Sequence, residues 1–470
     1  MKRPVVVVTL CLLLLPSLAL AQTEVDDREA DMFGETTTAT ENVNENETVI
    51  ETVNATVNEN AISHRLAEHH DPLAIGGRMY FRLQQSFIRE TPNENVLTQP
   101  SFSSPALVDL YLDARPNDRL RGFASGRLQH DFSLDPNTPP DPLTGRTPEQ
   151  NRVALDQLWL RFDIANTVYV TAGRQHLRWG TGRFWNPTDF LYAQRRDPLA
   201  IVDERLGTTL LKLHLPIASL GWNFYAVANL DGVSSPDDIG AALRAEFLIG
   251  PGEFALSAAA QKNRPVQVGA DLSFGLGPFD IRGELALLNN VRETFWRGQI
   301  DLETLSFPEA YSRKDDWIVQ ATVGAEVGIN YSDQDAIYFG AEYFFNDAGY
   351  SDNTLYPWLL LQRSFRPLYT GRHYAALYAM LPSPGSWNDT SFTLSALSNL
   401  SDNSLLTRFD YRVRVLTHLS VFAWTMLHTG SPGEFRFGME VPALPIDGLE
   451  DGITIPEPLL SIGAGMTMTF

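Results

Sequence analysis

The chain ends in LSIGAGMTMTF, residues 460–470. Leu460, Ile462, Ala464, Met466, Met468 and Phe470 fall on one side of a two-residue repeat, and Ser461, Gly463, Gly465, Thr467 and Thr469 fall on the other. A pleated strand sends successive side chains to opposite faces, so the stretch predicts a strand with one apolar face and one small, polar face. A strand that stands between lipid and a water-filled lumen needs this pattern.

The repeat recurs upstream. Val319, Ala321, Val323, Ala325, Val327 and Ile329 alternate with Gln320, Thr322, Gly324, Glu326, Gly328 and Asn330. Val266 to Phe274 and Phe409 to Val415 behave alike. Strands are expected near 76–87, 104–114, 119–132, 154–163, 167–176, 207–216, 221–229, 241–248, 253–262, 265–275, 279–288, 317–330, 335–345, 373–381, 390–398, 404–416, 420–429 and 459–470. Their links alternate between tight turns such as RPND, IANT, GPG and SDQD and long stretches at 133–153, 177–206, 289–316, 346–372 and 430–458, with KNRP at 262–265 a short exception. That asymmetry marks a membrane barrel rather than a sandwich or propeller. The expected fold is an all-β, transmembrane antiparallel β-barrel of about 18 strands over residues 75–470, with sixteen left open because boundaries slip by a few residues.

The N-terminus sets the compartment. A basic start, Met1-Lys2-Arg3, precedes an apolar run from Val5 to Leu15, then Pro16 and the small-x-small pattern Ala19-Leu20-Ala21. The run is too short to span a bilayer and reads as a signal peptide, residues 1–21, cleaved after Ala21. Cys11 is the one cysteine and leaves with it, so the mature chain is expected to hold no disulfide and no thiolate metal site. Residues 22–74 read as a disordered, acidic periplasmic leader: 22–60 hold eleven Asp or Glu against the single basic Arg28, and TENVNENETVIETVNATVNEN is low in complexity. His64, His69, His70 and Asp71 in SHRLAEHHD have the residue types of a metal site, but a polar linker with histidines is the commoner origin of such a run. No metal or cofactor is expected.

Thirty-six basic residues stand against 57 acidic ones, a net charge of −21. Nucleic-acid binding requires a basic footprint and is excluded on that balance. Export plus a lipid-facing barrel places the protein in the outer membrane of a Gram-negative cell, with membrane lipid as its first partner.

Gln157 to Pro216 carries a resemblance. Within it, Gly173-Arg174-Gln175, Trp179-Gly180 and Asn186-Pro187-Thr188-Asp189 resemble a signature of porin-like outer-membrane proteins, uncharacterised families among them, and of relatives of the alginate-export barrel. The terminal strand closing on Phe470 resembles the signal read by the barrel assembly machinery, which makes that machinery an implied partner. The resemblance implies the architecture and, more weakly, a channel.

Parity then picks the lumen. Arg78, Arg82, Arg121, Arg127, Arg161, Arg408, Arg412 and Arg414 fall on polar faces, as do Asp109, Asp113, Asp131, Asp163 and Asp410. Barrel closure sets the first strands beside the last, so the arginines share one wall. A row of guanidinium groups opposite carboxylates makes a transverse field that selects polar or charged solutes, while Arg–Asp pairing across neighbouring strands merely stiffens the wall. Asp280, Arg282, Glu284, Glu326 and Glu342 give an elsewhere mostly acidic lining. Arg174 and Arg178 are costly toward lipid, by about 2–4 kcal/mol at mid-depth, and are expected in the lumen or at the rim. Trp179 and Trp185 suit an aromatic girdle. The segment 177–206 is long enough to fold into the mouth, although Asn186-Pro187-Thr188-Asp189 reads first as a rigid turn.

There is no Gly-x-Ser-x-Gly elbow, no His-Glu-x-x-His and no phosphate-cradling glycine loop, so an enzyme is not expected. The reading is a porin-like channel for passive passage of small polar or anionic solutes. An exporter of an acidic polysaccharide and a closed structural or adhesive barrel are the alternatives. Substrate, oligomeric state and the openness of the pore stay open.

Overall fold

Eighteen alternating segments become eighteen strands of one antiparallel sheet. The computed structural model describes residues 72–89, 99–135, 147, 149–192, 194–300, 306–441 and 453–470. The expected signal peptide, the leader up to Asp71 and the histidine cluster lie outside the described residues.

The strands are β1 Leu73–Arg89, β2 in two pieces Gln99–Ser103 and Pro105–Asn117, β3 Leu120–Asp131, β4 Asn151–Ile164, β5 Val168–Gln175 and β6 Thr208–Ile217. β7 Trp222–Asn229, β8 Gly240–Ile249, β9 Gly252–Ala260, β10 Val266–Leu276, β11 Phe279–Asn289 and β12 Ile318–Asn330 follow. β13 Ala336–Asn346, β14 His373–Pro382, β15 Thr390–Asn399, β16 Ser404–Leu416, β17 Leu419–Gly430 and β18 Glu457–Thr469 complete the ring. Each strand pairs with its sequence neighbour, and β1 pairs with β18 from Arg78↔Thr469 to Arg89↔Glu457. Closure leaves no strand edge, which a sheet in lipid requires because no water is there to satisfy an open edge.

The links sort by end. Those after β2, β4, β6, β8, β10, β12 and β16 are short, and Leu73 and Thr469 lie at that end too. The opposite end carries the long described links, 176–207 and 347–372 among them. Two links there are short, at 261–265, expected from KNRP, and at 400–403, in line with the expected strands 390–398 and 404–416. The loop end adds two hairpins, Thr294–Arg297 with Glu309–Ser312 and Met439–Val441 with Ile453–Ile455, and a short helix α1, Tyr356–Leu361.

Register carries one face around the ring without a break in parity. The outer face exposes Leu110, Leu128, Leu158, Leu243, Val323, Leu377, Leu394 and Ile462, several of them more than half exposed. Such a belt is a liability in water and a gain in a bilayer, where apolar area stays with apolar solvent. The inner face carries Tyr80, Leu107, Arg127, Arg408, Phe422 and Trp424, all buried. One bulge matters for the lumen. Ser125 faces Gln157 and Gly126 faces Leu155, so Asp156 is an extra residue in β4 and turns inward beside Gln157.

The girdle needs a correction. Trp179 and Trp185 are 3% and 0% exposed and stand inside the barrel, because their segment leaves β5 and turns into the lumen instead of around the rim. Outward aromatics at the short-link end take the expected place: Trp222, Phe224, Phe247 and Phe254 form a row of ring contacts 5.1–6.4 Å apart.

Candidate functional site

Residues 176–207 connect β5 to β6 and cross the lumen. The segment has no two-residue repeat to pair with a strand, yet it is rich in groups that a wall can hold. Its ends are tied to the inward bulge of β4. His176 Nε2 lies 2.8 Å from Asp156 Oδ1, and the N–H of Gly207 donates to the Asp156 carbonyl at 3.1 Å. His176 Nδ1 lies 2.6 Å from the Tyr192 hydroxyl, which braces the two limbs of the segment against one another.

Its crest is held on the far side by two wall carboxylates. Glu284 of β11 accepts the backbone N–H of Thr181 (2.7 Å), Gly182 (2.6 Å) and Thr188 (3.1 Å), the Thr188 hydroxyl (2.7 Å) and the Asn186 amide (3.0 Å). Glu342 of β13 accepts the N–H of Arg183 (2.7 Å), Phe184 (2.9 Å) and Trp185 (2.8 Å). A carboxylate accepts without donating, so each is matched to a turn whose N–H groups point outward from the segment. The approach demands small residues: Gly180 sits at φ +94°, and a Cβ there would lie 2.6 Å from Glu284 Oε1. Gly269 on the wall would likewise press a Cβ against Phe190 and Thr188.

Packing completes the hold. Trp185 stacks on Phe344 with centroids 5.6 Å apart, and its indole N–H donates to the Leu368 carbonyl at 3.1 Å. Trp179, Phe190 and Leu191 pack with Leu210, Val227 and Leu288 of the wall. The returning limb sets Val202 among Tyr80, Leu107, Phe422 and Trp424. There Arg127 donates to the Asp203 carbonyl (3.2 Å) and Arg408 to the Leu199 carbonyl (2.7 Å). The Asn186–Asp189 turn is real, with Asp189 N–H on the Asn186 carbonyl, but it also serves the Glu284 anchor.

The register puts Arg78, Arg82, Asp109, Asp113, Arg121, Arg127, Arg161, Arg408, Asp410, Arg412 and Arg414 on the inner face, and closure gathers them on the wall from β16 through β18 and β1 to β4. Many are paired. Asp109 takes Arg78 (3.0 Å) and Arg127 (2.8 Å), Asp113 takes Arg121 (2.9 Å) and Arg115 (2.9 Å), and Arg408 binds Asp410 at 2.7 Å. Arg414 reaches Asp389 at 2.7 Å. Arg161 lies over the Trp159 ring, 5.0 Å from its centroid. Arg412 is exposed to the lumen and forms no ion pair among the described residues. Across the ring, β8 to β13 turn Glu246, Glu253, Asp271, Asp280 and Glu326 inward, with Arg244 and Arg282 among them.

Arg174 is a correction. Its register partners are Leu158 and Thr209, on the face of Leu160 and Leu211, so it sits on the outer side near the loop-end rim, one residue from the end of β5. Parity within one eight-residue strand places it outward, and its long side chain has the rim within reach. Phe470 ends the chain on the outer face, its backbone bonded to Gly77 in both directions at 2.8 and 3.0 Å.

The arginines of the crossing segment itself were not picked out from the sequence, Arg178 apart. Arg183 lies over Tyr378 (4.1 Å) and 3.5 Å from Glu326, and Arg195 over Tyr369 (5.2 Å). Arg205 pairs with Asp203 (2.8 Å) and Asp189 (3.3 Å). Burial, then the charge of Arg178, pull the Arg196 guanidinium below its ordinary value, and burial pushes the Asp189 carboxyl up against the pull of Arg205. A signal existed: 177–206 hold five arginines against four acidic residues, in a chain whose acids outnumber its bases 57 to 36.

Fold and lumen together define a transmembrane β-barrel of the outer-membrane type, crossed by an in-folded segment. No family model and no curated protein matches the chain. Among solved structures, it is similar to Acinetobacter baumannii OccAB1 at 10% identity, over 84% of this chain and 97% of that one, with a TM-score of 0.49. Pseudomonas aeruginosa OccK11 (OpdR) is similar at 8% identity over 85% and 96%, with a TM-score of 0.47. A triple mutant of Rhodopseudomonas blastica porin is similar at 11% over 85% and 100%, with a TM-score of 0.40. At such identities and scores these likenesses say nothing about solute or mechanism.

Proposed function

We propose that the barrel is a passive outer-membrane channel, narrowed by residues 176–207, that favours small polar and anionic solutes. The observation that supports it is the crossing segment itself. It is tied to opposite walls, and its arginines stand in the lumen between the arginine wall of β16–β4 and the carboxylates of β8–β13, with Arg183 3.5 Å from Glu326. A water-filled gap between walls of opposite sign orients a dipolar solute and concentrates anions on the arginine side. Arg412 and Arg178 carry the largest share, because their charges are exposed and among the described residues no carboxylate lies at bonding distance from them.

No catalytic step is assigned. Asp156, His176 and Tyr192 form a hydrogen-bonded row, but it braces the segment and presents no nucleophile to the lumen.

Swelling of vesicles that contain the folded protein tests the reading. Small organic anions and neutral sugars of equal size should enter, the anions faster. Vesicles that fail to swell with any solute would instead support a closed structural barrel, a reading that the packed aromatics of the segment favour.

A further inference from the structure

At the loop end, away from the crossing segment, the barrel rim holds a buried polar cluster that the channel reading does not use. Glu434 lies in a short turn of the 431–441 segment and is 7% exposed. Around it stand Asp402 of the 400–403 turn, Asn399 of β15, Tyr374 of β14 and Tyr356 of α1, none more than 7% exposed.

The contacts knit four pieces of chain. The Tyr374 hydroxyl donates to Glu434 Oε2 at 2.5 Å and itself accepts the Gly371 N–H. The Asn399 amide lies 2.7 Å from Glu434 Oε2, 2.9 Å from Asp402 Oδ2 and 3.2 Å from the Tyr356 hydroxyl. Glu434 N–H donates to Asp402 Oδ2 at 2.8 Å, and Phe435 N–H donates to Ser404.

Two carboxyls are therefore buried together, and among the described residues no cation pairs with them. Arg436, two residues on, pairs with Glu457 and donates to the Gly430 carbonyl. His428 of β17 faces the Phe435 carbonyl instead of the pair. Tyr356 and Tyr374 are the other titratable groups in contact, and both are neutral phenols. Glu434 Oε1 is buried without a well-aligned donor, although the Leu368 backbone N–H also faces the carboxyl. An ionised carboxylate left so is costly, and two like charges in one dry site cannot both persist without loss. No group of three metal-binding side chains surrounds the pair among the described residues, so the ligand that suits it is a proton.

We propose that Glu434, buried against Asp402, forms a proton-operated latch, which ties the segments 347–372 and 431–441 to the barrel rim when Glu434 carries a proton and loosens them when it ionises. The latch faces the medium on the loop side, so external acidity sets it. Burial, and then the charge of Asp402, push the Glu434 carboxyl from its ordinary 4.5 up to about 7, against the pull of the Tyr374 hydrogen bond. The sign follows from linkage: the closed form binds the proton more tightly, so closure is strongest below about pH 4.5, weakens as pH rises to about 7 and levels off above it. With those two values, the open fraction rises about thirtyfold between pH 5.5 and 8.5.

Amide hydrogen exchange of the full-length protein, folded in detergent, reads the latch whether or not the barrel conducts. After correction for intrinsic rates, amides of 353–374 and 433–437 should exchange about thirtyfold faster at pH 8.5 than at 5.5. Glu434→Gln cannot ionise and should abolish that pH response. Asp402→Asn removes the repulsion from the other side and should shrink it, which keeps the test open if the first variant does not fold. Exchange independent of pH in the unaltered protein, or an unchanged pH response in both variants, would overturn the latch.

Discussion

Glu342 Oε1 accepts the N–H groups of Phe184 (2.9 Å) and Trp185 (2.8 Å), so one wall carboxylate holds the crest of a segment 157 positions away from it in sequence. Charge-assisted hydrogen bonds of this kind are worth about 1.5–3 kcal/mol each when a buried donor would otherwise be orphaned. Glu342→Ala should therefore speed hydrogen exchange at Arg183, Phe184 and Trp185 by about tenfold to a hundredfold, with the barrel still closed. Unchanged exchange at those amides would remove Glu342 as the anchor.

Gly180 tests the opposite anchor. At φ +94° a side chain is strained, and its Cβ would press on the Glu284 carboxylate. Gly180→Ala should displace the crest, seen as faster exchange at Thr181, Gly182 and Thr188. Gly232 also has positive φ, at +68°, but nothing lies within 4 Å of a Cβ built there, so Gly232→Ala should leave those amides untouched.

Two inward arginines should behave differently. Arg127 is 4% exposed, holds the half-buried Asp109 at 2.8 Å together with Arg78 and donates to the Asp203 carbonyl, so Arg127→Ala should cost about 1.5–3 kcal/mol. Arg412 is exposed and holds no carboxylate among the described residues, so Arg412→Ala should leave thermal stability within about 0.5 kcal/mol. Its effect should appear in ion selectivity, shifted away from anions. Equal loss of stability in both variants would contradict the division between wall-stiffening and solute-facing arginines.

Leu377 stands on the outer face of β14 with 60% of its surface exposed. Leu377→Arg should cost about 2–4 kcal/mol in folding into lipid vesicles, because a guanidinium at mid-depth loses its water. A folding equilibrium indifferent to this charge would argue that the face does not meet lipid.

The barrel was readable because its information is local. A two-residue repeat, interrupted by turns, specifies each strand and its faces, and the register turns inward the residues that parity picks, from Arg78 and Asp109 to Arg408 and Arg412. Arg174, assigned by its charge to the lumen or the rim, takes the rim on the outer face, because register and not charge sets the face of a strand residue. The crossing segment was legible only as a length. Its hold depends on Glu284 and Glu342, which meet it across more than ninety residues of sequence and read in isolation as two more inward charges. Asp156 enters the lumen through a bulge, and one extra residue in a strand leaves no mark that alternation alone can date to a position. The Glu434 cluster joins four separate stretches and has no local pattern at all.

The central claim is that solutes pass through the lumen beside residues 176–207, and single-channel conductance of the purified full-length protein in a planar bilayer tests it most directly. Under a salt gradient, steady current steps are expected, with a reversal potential of the sign given by anion preference. A protein shown to be folded that carries no current would contradict the channel and leave a barrel closed by its own crossing segment.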